Sequence, residues 1–180
     1  AVNKLDIVLG CFWATSLVEG AKGEGKYFGS PNEAITAGDF DIVSFRARIN
    51  VLGTANKKYA AYDNKPFETT IGRLMFNAIL PADFGYINEE MTTKKMGAIM
   101  DELIAKYGVT EVAPILDRIK SFGYKYATRS GTTWGIDNVV APKEKPALVA
   151  QYRKLDDEIK VQYAEGLLSK EELYDKTITL

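Results

Sequence analysis

The chain contains no histidine. That removes the commonest general base, histidine-activated nucleophiles and every histidine-ligated metal site. Its single thiol, Cys11, sits in an apolar run with Ile7, Val8, Leu9, Phe12 and Trp13. A small buried hydrophobe is the simplest reading, one thiol closes no internal disulfide, and a reducing compartment fits that usage. The carboxylates are scattered. Asp39 and Asp41 flank Phe40, and Asp156, Asp157 and Glu158 read as the solvated face of a helix. None has the Asp-x-Asp-x-Asp spacing of a calcium loop. The glycine-rich stretch Gly20-Ala-Lys-Gly-Glu-Gly-Lys-Tyr-Phe-Gly29 follows polar residues, and Lys26 precedes Tyr27 rather than Ser or Thr. The spacing that cradles a phosphate therefore fails. The densest polar positions outside the charged helices are Arg129-Ser-Gly131 and Ile136-Asp-Asn138. They read either as turns in which Asp137 and Asn138 bond local backbone, or as a loop facing a cavity or nucleic acid.

Residues 5–14 form a buried element, almost wholly apolar, whose character leaves strand and helix both open. Ser30, Pro31 and Glu33 supply a cap, a first-position proline and a box-closing carboxylate, so a short helix runs from there to about Gly38. Val43, Phe45, Ala47, Ile49 and Val51 alternate with Ser44, Arg46, Arg48 and Asn50, which predicts a half-buried strand with a solvated basic face. Residues 53–65 are turn-rich, and 67–71 should return as the second arm of a hairpin. Residues 73–80 read as a short helix stopped by Pro81. Over 93–107, Met96, Ile99, Met100, Leu103, Ile104 and Tyr107 share one helical face, with Gly108 as the cap. A second helix starts at Thr110, buries Val112, Ile115, Leu116, Ile119 and Phe122, and ends at Gly123.

In the tail, Leu148, Tyr152, Leu155, Ile159 and Tyr163 form a near-heptad stripe. Gly166 breaks it, and Ser169 with Glu172 makes a capping box flanked by Leu168 and Leu173 as a hydrophobic staple. Two antiparallel helices joined at 163–170 follow from that pattern. The first residue is Ala and the helical pattern still runs at Leu180, which reads as a piece of a longer chain. The expected fold class is α+β, mainly α: a small β-containing part (1–81), two middle helices (82–142) and a protruding antiparallel helical hairpin (143–180).

Charge and composition narrow the function classes. The chain has 180 residues, 46% of them apolar, with 23 basic and 24 acidic side chains and a net charge of -1. No bulk basic field is present to hold nucleic acid nonspecifically. No signal-peptide pattern is visible, and no apolar run approaches the roughly 18 residues of a membrane helix.

Several ordered motifs resemble one family. Gly23-Glu-Gly-Lys26, Ser30-Pro-Asn-Glu-Ala34, Glu68-Thr-Thr-Ile-Gly-Arg73, Asn77-Ala-Ile-Leu-Pro81 and Asp117-Arg-Ile-Lys120 come first. Gly123-Tyr-Lys-Tyr-Ala-Thr-Arg-Ser-Gly131, Gly135-Ile-Asp137 and Tyr163-Ala-Glu-Gly-Leu-Leu-Ser-Lys-Glu-Glu-Leu-Tyr174 continue in the same order. Together they resemble the largest, beta-prime, subunit of bacterial-type DNA-directed RNA polymerase, most weakly over 53–65 and 82–90.

The resemblance implies a segment after the catalytic magnesium loop and before the bridge helix. Residues 1–81 would be pore-like, 82–142 funnel-like and 143–180 the rim helices of the secondary channel. It implies that Lys94, Lys95, Arg129 and Asp137 line a route for nucleoside triphosphates and the RNA 3′ end. Tyr163, Glu165, Gly166, Leu167 and Leu168 would form a hairpin tip where transcript-cleavage or regulatory factors dock. Other polymerase subunits would be partners, DNA would be met only through the whole complex, and the setting would be the bacterial cytoplasm and nucleoid, with no membrane.

The family's Asn-Ala-Asp-Phe-Asp-Gly-Asp metal loop is missing from these residues, so magnesium would bind outside them and the segment alone would be inactive. Asn138 stands where many relatives carry a second Asp, so a role needing a carboxylate there does not carry over. The other reading of the residues is a free-standing helical-hairpin interaction module. A reading frame that stops near Leu180 would favour it over a polymerase segment.

Overall fold

The computed structural model describes residues 5–180. The fold is α+β and mainly α, in two units that meet in sequence at Thr132 and Thr133. The first unit holds α1 (Asp6–Thr15), β1 (Tyr27–Phe28), α2 (Pro31–Asp39), β2 (Ile49–Leu52), β3 (Pro66–Thr69), α3 (Ile71–Ala78) and α4 (Thr93–Ser130). The second holds α5 (Lys145–Ala164) and α6 (Lys170–Thr179).

The undecided apolar run is the helix α1. Asp6 stands in its first turn, where a carboxylate meets the positive end of the helix dipole, and Ile7, Val8, Cys11 and Ala14 are buried. Two glycines let α1 approach α4 backbone to backbone. A Cβ on Gly10 would fall inside the carbonyl of Gly123, and a Cβ on Gly123 would lie 2.6 Å from the Ile7 oxygen. This corrects the expected end of a helix at Gly123. That glycine is buried in mid-helix, and α4 runs on to Ser130, capped by Gly131 at φ 64°. The break expected at Gly108 is present: at φ 74° and ψ 168° it divides α4 into limbs 93–107 and 109–130. Met96, Ile99, Met100 and Leu103 on the first limb and Val112, Ile115, Ile119 and Phe122 on the second face the core. Ile104, assigned by spacing to that face, is exposed.

The sheet is small, with order β1-β2-β3. β1 lies parallel to β2, pairing Tyr27 with Asn50, and β2 lies antiparallel to β3, pairing Val51 with Phe67. The strand expected over 43–51 is confined to Ile49–Leu52. Its alternation is nevertheless real as burial, because Val43, Ala47, Ile49 and Val51 are all buried. The earlier part is a run of turns and bends, with Ala47 N–H on the Ser44 carbonyl, and its other groups bond elsewhere: Ser44 N–H donates to the Lys22 carbonyl, Val18 N–H to that of Arg46 and Gly25 N–H to that of Arg48. The glycine-rich loop is the partner that replaces a ladder. α2 begins as its sequence dictates, with the Ser30 hydroxyl accepting from Glu33 N–H and Glu33 accepting from Gly29 N–H at 2.8 Å. α3 starts at Thr70, whose side chain accepts from Arg73 N–H.

One apolar cluster gathers Cys11, Ala14, Phe76, Leu103, Ile119 and Tyr126 from α1, α3 and α4; a second packs Ala34, Ala37 and Leu74 against Ile49 and Val51 of the sheet. A buried polar network fastens the chain between α3 and α4. The fully buried Asn77 amide donates to the carbonyls of Arg73 (2.8 Å) and Ile87 (2.7 Å) and accepts from Ile87 N–H at 2.8 Å. Arg73 Nε donates to the Thr15 carbonyl at 3.0 Å and its Nη1 to the Asn88 carbonyl at 3.1 Å. Lys58 is buried with its ammonium donating to the carbonyls of Asn77 and Leu80. Burial pushes its pKa down to about 8. These bonds end the carbonyl-rich terminus of α3, which would otherwise be buried without partners.

The second unit forms the antiparallel pair its pattern predicts: Leu148 and Tyr152 of α5 share a concavity with Thr177 and Leu180 at the far end of α6. α5 ends in a Schellman motif, with Gly166 at φ 77°, Gly166 N–H on the Tyr163 carbonyl and Leu167 N–H on that of Gln162. The Ser169–Glu172 capping box is formed in both directions, and Leu168 and Leu173 are both half-buried beside it.

Three outcomes test this packing. Gly123→Ala should lower the denaturant midpoint by the equivalent of about 1–3 kcal/mol through overpacking against α1. Gly97→Ala, whose Cβ meets nothing within 4 Å, should be neutral or gain about 0.5–1 kcal/mol. Cys11 is fully buried and its thiol is pushed up to about 12, so maleimide should label it only after unfolding; rapid labelling of the folded chain at neutral pH would contradict its placement.

Candidate functional site

Lys94 and Lys95 lie in the first turn of α4, behind the cap Thr92, whose hydroxyl accepts from Lys95 N–H at 3.3 Å. Cations there stand at the positive end of the helix dipole, an arrangement that costs roughly 0.3–1 kcal/mol each and concentrates positive potential on one turn. Lys95 offsets part of it through an ion pair with Glu89. Lys94 is exposed.

Arg129 lies at the other end of α4 in sequence, in its last turn, where a cation suits the dipole. Its guanidinium lies 5.5 Å from the centre of the Phe45 ring. Phe45 belongs to a rack of three nearly parallel rings. Its centre is 4.8 Å from that of Tyr126 and 6.1 Å from that of Trp13, with interplanar angles of 25° and 16°. On Trp13 rests a second guanidinium, that of Arg46, at 4.7 Å, whose Nη1 donates to the Ser16 hydroxyl at 3.1 Å. Three segments build this rack: α1 brings Trp13, the turn before β2 brings Phe45 and Arg46, and the second limb of α4 brings Tyr126 and Arg129. Stacking over aromatic faces holds planar guanidiniums in place while leaving their outer edges to anions.

Arg46 was read from sequence as part of a solvated strand face, with Arg48. Neither is free. Arg48 is half-buried, with Glu19 at 3.6 Å and Glu24 at 3.8 Å. The signal for Arg46 was present as adjacent Phe45-Arg46, but its partner Trp13 is remote in the chain and no local pattern links them.

Asp137 belongs to the second unit and is exposed, in a 3-10 turn at Ile136–Asn138. The local reading of this segment holds for Asn138, whose amide oxygen accepts from Gly135 N–H at 2.7 Å. In the tip residues, Tyr163, Glu165 and Leu167 are exposed, Leu168 is half-buried, and Gly166 makes the left-handed turn described above. The structure thus joins Lys94 to Lys95 and gives Arg129 an aromatic seat, while Asp137 and the tip lie on a separate unit. Among the described residues no three His, Cys, Asp or Glu side chains gather as a metal would require. No helix among them is long and apolar enough to cross a membrane.

Similarity to known proteins follows the same span. The family model described as RNA polymerase Rpb1, domain 3, matches residues 4–139. The chain is 40% identical over 185 aligned positions to the DNA-directed RNA polymerase subunit beta′ of Heliobacterium modesticaldum, covering 97% of this chain and 16% of that protein. It is 37% identical to the subunit of the same name from a Thermoanaerobacter species, covering 96% of this chain and 16% of that protein. It is 35% identical to that of Rhodococcus erythropolis, covering 100% of this chain and 15% of that protein. The chain spans about one-sixth of the length of these curated relatives. By the match over 4–139 and this end-to-end similarity to one segment of beta′ subunits, the chain belongs to the RNA polymerase Rpb1 domain 3 family.

Proposed function

We propose that the chain acts within a DNA-directed RNA polymerase as the part of the beta-prime subunit that walls the secondary channel. Nucleoside triphosphates would enter past it and backtracked RNA 3′ ends would leave. The observation that carries this reading is the similarity, over 97% of the chain, to one segment of beta′ subunits. The cation placement supports it: Lys94 and Lys95 add charge to a helix end that is already positive, and Arg129 presents a guanidinium held on an aromatic ring. Such groups steer polyphosphates by field without binding them tightly, which suits a conduit.

The segment makes and breaks no bond itself. In the whole enzyme, magnesium held elsewhere would activate the RNA 3′ hydroxyl and stabilise the leaving pyrophosphate. DNA is met only through the complex, the other polymerase subunits are its standing partners, and the setting is the bacterial cytoplasm. The α5–α6 hairpin serves as a docking site for transcript-cleavage or regulatory factors, with the tip Tyr163, Glu165, Gly166, Leu167 and Leu168 as its contact. The Schellman turn and capping box support this role, because a tip already ordered loses little entropy when a partner binds.

Two measurements in an assembled polymerase check these roles. Combined Lys94→Glu, Lys95→Glu and Arg129→Glu should raise the apparent nucleotide KM by about threefold to tenfold, more at low salt, with kcat at saturation little changed. Unchanged KM and unchanged backtracking at limiting nucleotide would count against the channel role. Ile159→Pro with Leu173→Pro should abolish the response to a cleavage factor while basal synthesis survives; a retained response would remove the hairpin as the docking surface.

A further inference from the structure

On the first unit, a groove of about 560 Å³ lies between α2, α3 and the second limb of α4. Its floor is apolar: Ile35, Met75, Ile79, Phe122 and Tyr126 line it. Three charged residues stand at its edge, all from α4: Asp117, Arg118 and Lys125. Their partners decide the sign of that edge. The Asp117 carboxylate is neutralised by Lys120 at 2.6 Å. Arg118 spends only Nε, which donates to the Ile79 carbonyl at 2.8 Å. Lys125 rests 5.5 Å from the centre of the Tyr126 ring. Among the described residues neither Arg118 nor Lys125 is in an ion pair, so an apolar trough is bordered by two cations whose charge nothing offsets.

We propose that this groove docks an acidic protein segment that inserts a large apolar side chain between carboxylates. The apolar floor supplies the anchor pocket that concentrates binding energy at interfaces, and the cations select carboxylates beside the anchor. Charge complementarity commits the occupant: a basic segment would bring its ammonium groups against Arg118 and Lys125. A nucleic acid strand would set phosphates and sugars over Ile35, Met75 and Ile79, which offer them no hydrogen bond. Arg118 is tied to the end of α3, so its fork is held in one place for a carboxylate. The groove shares Tyr126 with the ring rack, but its cations, Arg118 and Lys125, are not among the proposed channel-lining ones and its proposal does not depend on their role.

The 180-residue chain can be titrated by fluorescence anisotropy with two short fluorescein-labelled peptides. One carries a Leu-Phe pair between Asp and Glu residues, and the other has Lys at every acidic position. The acidic peptide should bind at least about tenfold tighter. Lys125→Glu, at an exposed position, should weaken the acidic peptide about fivefold to tenfold and strengthen the lysine peptide. Ser121→Trp, which fills the groove from its exposed wall, should remove binding of both while the circular dichroism spectrum is unchanged. Equal affinity for the two peptides, no binding of the acidic one, or indifference to Ser121→Trp in a folded chain would overturn the proposal. So would displacement of the acidic peptide by a thymidine oligonucleotide at comparable concentration, which would assign the groove to nucleic acid.

Discussion

The close backbone approach around α1 is the constraint on which the first unit depends. α1 touches α4 where Gly10 meets Gly123, and touches α3 where a Cβ on Gly72 would collide with the Ala14 carbonyl and lie 2.7 Å from Phe45. One ten-residue helix is therefore clasped on two sides by glycines that have no side chain to hold the neighbours apart. Interiors are packed densely enough that a single added methyl at such a seam must move backbone rather than a flexible side chain.

The rack of Trp13, Phe45 and Tyr126 exists because α1, the turn before β2 and α4 are brought together there. Arg46 and Arg129 inherit their positions from the rings beneath them. The same geometry brings Thr15 to the start of the next segment: its hydroxyl accepts from Met91 N–H at 2.9 Å, and its carbonyl accepts from Arg73. With Asn77 and Lys58 closing the end of α3, the connection from α3 to α4 is bonded along much of its length. Lys94 and Lys95 begin directly after that connection, so their place at the head of α4 follows from a buried network rather than from surface propensity.

What could be read from the residues divides by range. Caps and turn glycines act within a few positions, and Ser30, Gly108, Gly166 and Ser169 do what their neighbours dictate. Gly123 was misread because a helix-ending glycine and a close-contact glycine look alike in sequence; only Gly10, far along the chain, tells them apart. Alternation over 43–51 foretold the burial of Val43, Ala47, Ile49 and Val51, though Phe45 is only half-buried, and it overstated the strand, since burial needs only a core whereas a ladder needs a partner strand, and β1 supplies two residues. Of the proposed channel cations, Arg129 stands inside the family motif 123–131, whereas Lys94 and Lys95 stand outside every such motif and were picked out only by their place beside matched segments. Arg46 and the ring rack were not legible, because contacts between distant segments leave no local period. The groove beside α4 was invisible for the same reason: its walls come from three elements.

The central claim is that the clasped first unit presents the end of α4 to nucleotides in transit. Photo-crosslinking an assembled polymerase containing this chain with an azido-nucleoside triphosphate, followed by peptide mapping, tests it most directly. The account predicts adducts within 123–131, suppressed by excess unmodified nucleotide. Adducts confined to other parts of the polymerase, with none on either end of α4, would contradict it.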